Sequence, residues 1–303
     1  MTGSSPFRIG KLVVVGVGLI GGSFALALRR AGAVESVTGV GRSRANLEQA
    51  LGLGVIDEIA ESLPAALVGA DLVLLAMPVG QTARLLAQIE PHLAAGTVVT
   101  DAGSTKENVV VAARARFSRH LARFVPAHPI AGAESSGAGA AKADLYRGRP
   151  VVITPLPETD ATALERVRAA WETCGAQVSS MSPGDHDHVL GLVSHLPHLL
   201  AFAFMELVAR DGARERMLSY AGSGFRDFTR IAGSSPEMWR DICLANREAL
   251  LAALDAYTDQ LDSLYAALAS QDGAALESVF AAASRARGEW AARLEKQAQG
   301  TSE

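Results

Sequence analysis

His128 is the side chain in this sequence that is best suited to acid–base chemistry. An imidazole titrates near neutral pH, so it can take the proton of an alcohol while hydride leaves the neighbouring carbon. Ser104 can hydrogen-bond the same hydroxyl group, although a helix that starts near Lys106 would equally use this serine as its N-cap. Together, His128 and Ser104 predict a dehydrogenase that acts on an alcohol.

Arg230 is a candidate for binding a carboxylate of the substrate. It lies in a polar, glycine-containing segment, residues 222–231, between two helical patterns. A guanidinium group can hold a carboxylate through two parallel hydrogen bonds. A structural ion pair, for example with Asp227, is the alternative role.

A glycine motif follows the apolar run KLVVV and opens an Ala/Leu-rich helical pattern. In this context the pattern G-x-G-x-x-G is typical of a dinucleotide site. Gly16 allows the tight turn, Gly18 lets the pyrophosphate approach the backbone, and Gly21 lets the helix pack on the strand. The N–H groups of the first helical residues, Leu19 and Ile20 among them, face the phosphates.

The end of the second predicted strand favours NADP over NAD. An NAD site usually has an acidic residue there to bind the ribose 2′-hydroxyl, and this sequence has Gly41. Arg42 and Ser43 follow and can pair with a 2′-phosphate. The alternative is that Arg42 is a solvated surface charge.

Two further motifs end predicted strands, and we expect both to contribute to the cofactor site. Met77 and Pro78 follow the third apolar run, and Asp101 and Gly103 end the fourth. His128 follows the fifth run, so all three segments are predicted at the carboxyl ends of parallel strands, where open α/β sheets bind ligands.

Four of the seven histidines fall within residues 185–198, namely His186, His188, His195 and His198. At 3.6 residues per turn, Ser194 and His198 share one helix face, while His188 and His195 lie on another. We therefore expect no four-histidine zinc site and no other metal site, but at least one of these histidines to line a pocket. Pro197 predicts a kink in this helix.

The elements that position these residues change character near residue 182. Residues 1–182 alternate short β-branched runs with helical patterns, which predicts a Rossmann-type, doubly wound parallel sheet. Residues 183–303 contain only helical patterns, of which 236–269 is unusually long. The fold class is therefore α/β, with an all-α domain after the nucleotide-binding domain.

Composition excludes several other classes of protein. The chain has 303 residues, a formal net charge of −4 and two cysteines. A slightly acidic surface is unsuited to nucleic acid, and two distant cysteines do not make a disulfide scaffold. The N-terminus lacks the apolar core of a signal peptide, and polar or turn residues interrupt the apolar stretches before the length of a membrane span. We expect a cytoplasmic protein without membrane or nucleic-acid partners.

In combination, these motifs resemble the prephenate/arogenate dehydrogenase family of tyrosine biosynthesis. The matching segments cover residues 11–246 in the family's order, and they are GVGLIGGS, MPV, DAGSTK, HPIAGAESSG, DHDHVLGLVSHLPH, GFRDFTRIA and MWRDICLAN. The glycine motif is common to many dehydrogenases. HPIAGAE, SHLPH and TRIA are together more specific.

The resemblance implies an NAD(P)-dependent oxidative decarboxylation of prephenate or arogenate that gives 4-hydroxyphenylpyruvate or tyrosine. It implies that His128 takes up or bonds the ring hydroxyl, that Ser104 orients it, and that Arg230 binds a carboxylate. The residues that it implies to line or gate the pocket are Glu134, His186, Ser194 and His198. It also implies a homodimer through the helical domain, and it leaves open the choice between prephenate and arogenate.

Two other functions fit parts of the sequence. A β-hydroxyacid or 6-phosphogluconate-type dehydrogenase would need a catalytic lysine on the first long helix after residue 182, and residues 187–210 contain no lysine. A non-enzymatic sensor of nucleotides would have no use for His128 together with Arg230. Turnover, followed as absorbance at 340 nm, distinguishes a sensor from an enzyme.

Overall fold

The computed structural model describes residues 7–132 and 135–300. Glu134, which the resemblance places at the pocket, lies outside these residues. By the density of its internal contacts the chain forms two units, residues 1–250 and residues 251–303.

Within the described part of the first unit, six parallel strands form one sheet in the order β3-β2-β1-β4-β5-β6. This is the Rossmann order, and it confirms the predicted doubly wound sheet. The strands are β1 (Ile9–Val15), β2 (Val34–Val40), β3 (Glu58–Ile59), β4 (Leu72–Leu75), β5 (Val98–Asp101) and β6 (Phe124–Val125). The helices of this part are α1 (Leu19–Arg30), α2 (Arg44–Gly52), α3 (Leu63–Leu67), α4 (Thr82–Ile89), α5 (Glu107–Arg116) and α6 (Ala161–Thr173).

The central strands are buried on both faces, which explains their continuous apolar sequences. Leu12 and Val14 of β1 pack into one apolar cluster, and Val13 packs into another on the opposite face. All residues of β4 are buried in the same alternating way. Because each such side chain contributes about 1.5–3 kcal/mol when removed from water, this sheet holds the ends of its strands in fixed positions.

His128 follows the parallel strand β6 of the main sheet, as predicted, but it lies on a further strand that belongs to a separate sheet. A three-stranded sheet within the described residues has the order β7-β8-β9, with β7 at Ala127–Pro129, β8 at Pro150–Ile153 and β9 at Gln177–Ser180. His128 is paired with Val152 of the antiparallel strand β8. The chain leaves the main sheet after Val125 because Pro126 has no N–H and the N–H of Ala127 donates to the Asp101 side chain instead.

The first helices after β9 run almost continuously. They are α7 (Pro183–Leu190), a π-helical turn (Gly191–His195) and α8 (Leu196–Arg210). Ser182 accepts a hydrogen bond from the N–H of Asp185 and caps α7. The sequence analysis predicted a kink from Pro197, and the helix has a π turn just before this residue. Pro197 has no N–H, so a carbonyl of the preceding turn lacks its usual helical hydrogen bond.

This helical stretch also corrects the prediction that no apolar segment reaches the length of a membrane span. Among the described residues, 183–210 are helical over 28 residues, and an 18-residue window within them has a mean hydropathy of 1.6, with 17% of that window buried. The helix continues through Pro197, where the sequence analysis predicted a kink. Length and composition alone make this a candidate span.

The long helical pattern at 236–269 is divided, which also differs from the prediction. The shorter helices α9 (Arg214–Ser219) and α10 (Ser223–Thr229) precede α11 (Pro236–Ala245) and α12 (Arg247–Ala269). Asn246 separates the last two because its buried side chain donates to the carbonyl of Asp187 and to Nδ1 of His195. The second unit contains the rest of α12 and helix α13 (Gly273–Gly300).

Candidate active site

The glycine loop has the shape that a dinucleotide site requires. Gly16 has a φ of +98°, and a Cβ there would lie 2.4 Å from the carbonyl oxygen of Ala76. A Cβ on Gly21 would lie 2.3 Å from the carbonyl oxygen of Gly16. Gly18 instead faces open space, and no side chain caps the start of α1. The N–H groups at this helix start, including those of Leu19 and Ile20, are therefore available to a pyrophosphate.

The residues predicted to read the 2′ position of the cofactor lie together after β2. Arg42 is exposed, and the hydroxyl of Ser43 accepts a hydrogen bond from the N–H of Asn46 as the N-cap of α2. A Cβ on Gly41 would make only ordinary contacts with Leu47, the nearest at 3.4 Å. The position therefore has room for a side chain such as that of aspartate.

Asn46 is a residue that the sequence analysis missed. Its amide nitrogen donates to the carbonyl of Val17 at 2.6 Å, and its amide oxygen accepts from the N–H of Ala138 at 2.8 Å. The side chain therefore connects the glycine loop to the segment after β7. Its position at the start of a helix resembles an ordinary capping residue, so the sequence alone contained no signal for this role.

The loops after β4 and β5 differ in how their predicted residues are used. Met77 and Pro78 follow β4 as predicted, and they precede a 3₁₀ turn at Val79–Gln81. Asp101, the last residue of β5, is buried and accepts hydrogen bonds from the N–H groups of Gly103 and Ala127. Its Oδ2 also lies 2.5 Å from Nζ of the fully buried Lys106. The Asp101 carboxylate thus stabilises the protein's own loops.

A chain of hydrogen bonds leads into His128 from the helical half of the unit. Nδ1 of His128 is 2.8 Å from Nε2 of His186, and Nδ1 of His186 is 2.7 Å from Oδ1 of Asp187. A carboxylate only accepts, so Nδ1 of His186 donates to Asp187, and when His186 is uncharged its Nε2 accepts. His128 then donates from Nδ1, which leaves the lone pair on Nε2 available as a base.

The surroundings of His128 favour this neutral form. Burial lowers its pKa well below the ordinary value of 6.5, and the neighbouring His186, Lys106 and His195 lower it further. The pKa of His195 is lowered to about 4, mainly by burial. The cluster therefore holds an unprotonated imidazole at neutral pH, as a general base requires.

Asp187 connects this chain to the loop that contains Ser104. Its Oδ1 accepts from the N–H of Lys106 at 2.7 Å and its Oδ2 from the N–H of Glu107 at 2.9 Å, so Asp187 caps the start of α5. The alternative that Ser104 caps this helix is therefore wrong. Ser104 is partly exposed in the loop between Asp101 and α5.

His128 forms part of the wall of a cavity of about 390 Å³. Arg230, Ser194 and His198 line the same cavity, as predicted. His198 stacks on Trp239 with ring centroids 3.6 Å apart, and its Nδ1 donates to the carbonyl of Ser194. This fixes the imidazole plane and leaves Nε2 of His198 available to a ligand. Burial lowers the pKa of His198, and the charge of Arg230 acts in the same direction.

His186 does not belong to this lining, which corrects its predicted role at the pocket. It is fully buried between His128 and Asp187, so it orients the base and does not contact the cavity. The sequence analysis also missed Asp187, Lys106, Asn246 and Trp239. The grouping DHDH marked this region, but a hydrogen bond between residues 81 positions apart leaves no local pattern.

No group of three His, Cys, Asp or Glu side chains in residues 7–132 and 135–300 is arranged to hold a metal ion. The donors at this site are instead a neutral imidazole, a guanidinium group and the backbone N–H groups of the glycine loop. These groups suit a proton, a carboxylate and a pyrophosphate respectively.

Two family models match the chain. The model described as prephenate dehydrogenase, nucleotide-binding domain, matches residues 24–180. The model described as prephenate dehydrogenase, dimerization domain, matches residues 182–282. Both halves of the sequence therefore match the same family, in the order that the sequence motifs predicted.

Individual proteins agree with these matches. The chain is 36% identical to the cyclohexadienyl dehydrogenase of Zymomonas mobilis over 91% of its own length and 94% of that protein. A crystal structure of prephenate dehydrogenase from A. aeolicus, in complex with hydroxyphenyl propionate and NAD⁺, superposes with a TM-score of 0.87 at 35% identity, covering 95% of this chain and 99% of that one. The structure of Synechocystis arogenate dehydrogenase gives a TM-score of 0.78 at 31% identity, covering 92% of this chain and 99% of that one.

Proposed function

Because this chain belongs to the prephenate dehydrogenase family, we propose that it oxidatively decarboxylates prephenate or arogenate in tyrosine biosynthesis, with a nicotinamide dinucleotide as hydride acceptor. The product is 4-hydroxyphenylpyruvate or tyrosine. The observation that carries this proposal is the chain Asp187–His186–His128, which presents an unprotonated imidazole to a cavity that Arg230 also lines. A nucleotide sensor needs neither feature.

The reaction assigns a distinct role to each of these groups. Nε2 of His128 accepts the proton of the ring hydroxyl while hydride leaves the same ring carbon, and a carbonyl begins to form there. The bond between the ring and its carboxylate breaks, and carbon dioxide leaves. The electron pair of this bond enters the ring, which becomes aromatic once the carbonyl oxygen is protonated again. The bound dinucleotide supplies the hydride acceptor. His186 and Asp187 hold the imidazole of His128 in the tautomer that can accept the proton.

The proposed substrate contacts line the same cavity as His128. We assign Arg230 to a substrate carboxylate and Nε2 of His198 to a second polar group, because Trp239 and Ser194 hold this imidazole in place. Ser194 and Glu134 remain proposed pocket residues, and Ser104 remains the proposed partner of the ring hydroxyl. The loop that contains Ser104 is connected to His128 through Lys106 and Asp187.

For the cofactor we propose NADP in preference to NAD. Gly41 leaves the end of β2 without an acidic side chain, and the exposed Arg42 is available to a 2′-phosphate. The phosphates would lie on the N–H groups at the start of α1, with Gly18 allowing their approach. Met77, Pro78 and Gly103 are the proposed contacts at the neighbouring strand ends.

We also propose a cytoplasmic homodimer with a domain boundary near residue 182. The match of residues 182–282 to a dimerization domain supports the dimer. Exposed apolar side chains on α7, the π turn and α8 support it too, and they include Val189, Leu192, Val193 and Leu207. The boundary between the two units described above lies later in the chain, at residue 250. The reason is that α7 and α11 follow residue 182 but pack on the nucleotide-binding part.

Steady-state kinetics with prephenate and arogenate, each with NAD and NADP, tests the proposal. We expect absorbance at 340 nm to rise with at least one of the two substrates, together with release of carbon dioxide. Absence of turnover with all four combinations by a folded, dinucleotide-binding protein would rule out the proposed reaction. Turnover of a β-hydroxyacid in its place would identify the protein as a different type of dehydrogenase.

A further inference from the structure

Lys106 is a buried charge that the proposed reaction does not use. Its side chain is fully buried, and Nζ donates to Oδ2 of Asp101 and, at 2.8 Å, to the carbonyl oxygen of Ala127. An ammonium group is costly to bury unless it is paired and hydrogen-bonded. Within the part of the chain that the structure describes, Nζ of Lys106 meets this condition through Asp101 and through Ala127, the residue that immediately precedes His128.

Lys106 contacts the surroundings of His128 from two directions. The side chain holds the carbonyl of Ala127 on β7, and the N–H of Ala127 is held by the same Asp101. The backbone N–H of Lys106 donates to Asp187, the carboxylate that fixes His186. One residue therefore connects the strand that carries His128 to the hydrogen-bond chain that orients its ring.

We propose that Lys106 is a positioning residue for His128, which its ammonium group holds in place through Asp101 and the Ala127 carbonyl. The role in turnover rests on the proposed function, whereas the effect on the imidazole does not. Lys106 acts without contact to substrate or cofactor. Its loss displaces the base by a fraction of an ångström and removes a positive charge from its surroundings.

The positive charge of Lys106 gives the positioning role a measurable effect on His128 that packing alone would not have. His128 is faced by His186 from α7, by His195 from the π turn and by Lys106 from the loop after β5. The carboxylates of Asp101 and Asp187 contact these neighbours, and Arg230 lines the same cavity. The Lys106 ammonium acts to lower the pKa of His128, so its removal raises that pKa.

The test compares Lys106→Met with Glu90→Gln. Met fills a similar volume without charge. Glu90 is a matched control because it is also buried and ion-paired, with His120 at 3.3 Å, and it does not line the cavity. For Lys106→Met we expect kcat to fall about 10- to 100-fold from misplacement of the base, with substrate KM changed much less. The acid limb of the kcat–pH profile is expected to move to higher pH. The pKa of His128, measured by NMR, is expected to rise.

Glu90→Gln is expected to lower thermal stability without changing kcat or the His128 pKa. If Lys106→Met behaves like this control, Lys106 is only structural and the proposal is overturned. If Lys106→Met does not fold, the double variant Lys106→Met/Asp101→Asn replaces it. This variant removes both buried charges and keeps a side-chain acceptor for the N–H of Ala127. The same fall in kcat and the same rise in the pKa of His128 are expected for it. If the wild-type protein turns over neither substrate, the proposed function fails, but the NMR titration still decides the role of Lys106.

Discussion

At the scale of single residues, the site depends on which nitrogen of His128 is free. The carboxylate of Asp187 determines the tautomer of His186, and His186 determines that of His128. Nε2 of His128 is thereby the nitrogen that can accept a proton. The low pKa of His128 keeps it in this form over the physiological range.

His128→Asn is expected to keep the fold and cofactor binding but to lower kcat by about 10²–10⁴-fold, the usual loss for a general base. In the wild-type protein, the acid limb of kcat/KM is expected below pH 6.5, because burial lowers the pKa of His128 and a base works only above its pKa. Steady-state kinetics across pH measures both effects. His92→Asn, at an exposed position, is the control. A near-normal kcat for His128→Asn would remove this residue from the mechanism.

Arg230→Ala is expected to raise substrate KM by roughly 30-fold or more. Arg230 is exposed in this structure, and its guanidinium becomes desolvated when a substrate carboxylate covers it, and loss of one partner of such a pair costs about 2–5 kcal/mol. We expect kcat to fall less and cofactor KM to change little, because a carboxylate is bound similarly in the ground and transition states. Arg114→Ala removes an exposed, ion-paired arginine and is the control. An unchanged substrate KM with lowered thermal stability would show that Arg230 is structural.

Gly41→Asp is expected to move the cofactor preference from NADP toward NAD. The new carboxylate accepts from a ribose 2′-hydroxyl and repels a 2′-phosphate, and the space beside Leu47 admits it. The ratio of kcat/KM values for the two cofactors measures the change. Gly52→Asp serves as the control, because a Cβ at Gly52 has no neighbouring atom within 4 Å. A wild-type enzyme that already uses NAD far better would contradict the interpretation of Gly41, Arg42 and Ser43.

At the scale of elements, helix α5 begins at a carboxylate that another helix supplies. The N–H groups of Lys106 and Glu107 would otherwise be unsatisfied at the helix start. By accepting from them, Asp187 joins α7 to α5 with the same side chain that orients His186. Under the proposed function, stability and catalysis are therefore coupled at this residue.

Asp187→Asn is expected to lower the free energy of unfolding by about 1–3 kcal/mol, because the amide NH2 cannot accept and leaves one buried donor unsatisfied, and to lower kcat by at least about 10²-fold through the wrong histidine tautomer. Thermal unfolding and turnover measure the two effects. Asp160→Ala is the control for loss of a cap, because Asp160 caps α6 through the N–H groups of Thr162 and Ala163. Its stability should fall without loss of kcat. An equal kcat for the two variants would show that Asp187 is only a cap.

At the scale of the whole molecule, each of the two units leaves large apolar side chains exposed. In the first unit they include Val193 and Leu207, and in the second they include Tyr265, Leu268 and Trp290. Exposed apolar side chains in this number are typical of obligate interfaces, which resemble a divided core.

The homodimer is expected to persist at micromolar concentration because of this apolar surface. Light scattering should give about twice the mass of the 31.6 kDa chain. Leu207→Glu places a charge on an exposed apolar position of α8 and is expected to weaken the dimer, whereas Val68→Glu, at an exposed position after α3, is the control. A single species of monomer mass for the wild-type protein would contradict the prediction.

The sequence by itself determined the features that depend on neighbours along the chain. Short β-branched runs predicted β1, β2, β4 and β5, and the continuous apolar sequences of β1 and β4 indicated a sheet that is buried on both faces. The glycine spacing predicted the loop at Gly16–Gly21, because only glycine tolerates its close backbone approaches. Residue type alone singled out His128 and Arg230, and both line the cavity.

Only the tertiary structure decided how distant segments combine. The division of the long helix at Asn246, the strand β7 and the position of His186 behind His128 all depend on hydrogen bonds between residues far apart in sequence. Periodicity reports which side of an element is buried, but not which partner a buried polar group finds. For Asp187 and Lys106 that partner is settled by packing, because a buried charge is stable only where the fold supplies its hydrogen bonds.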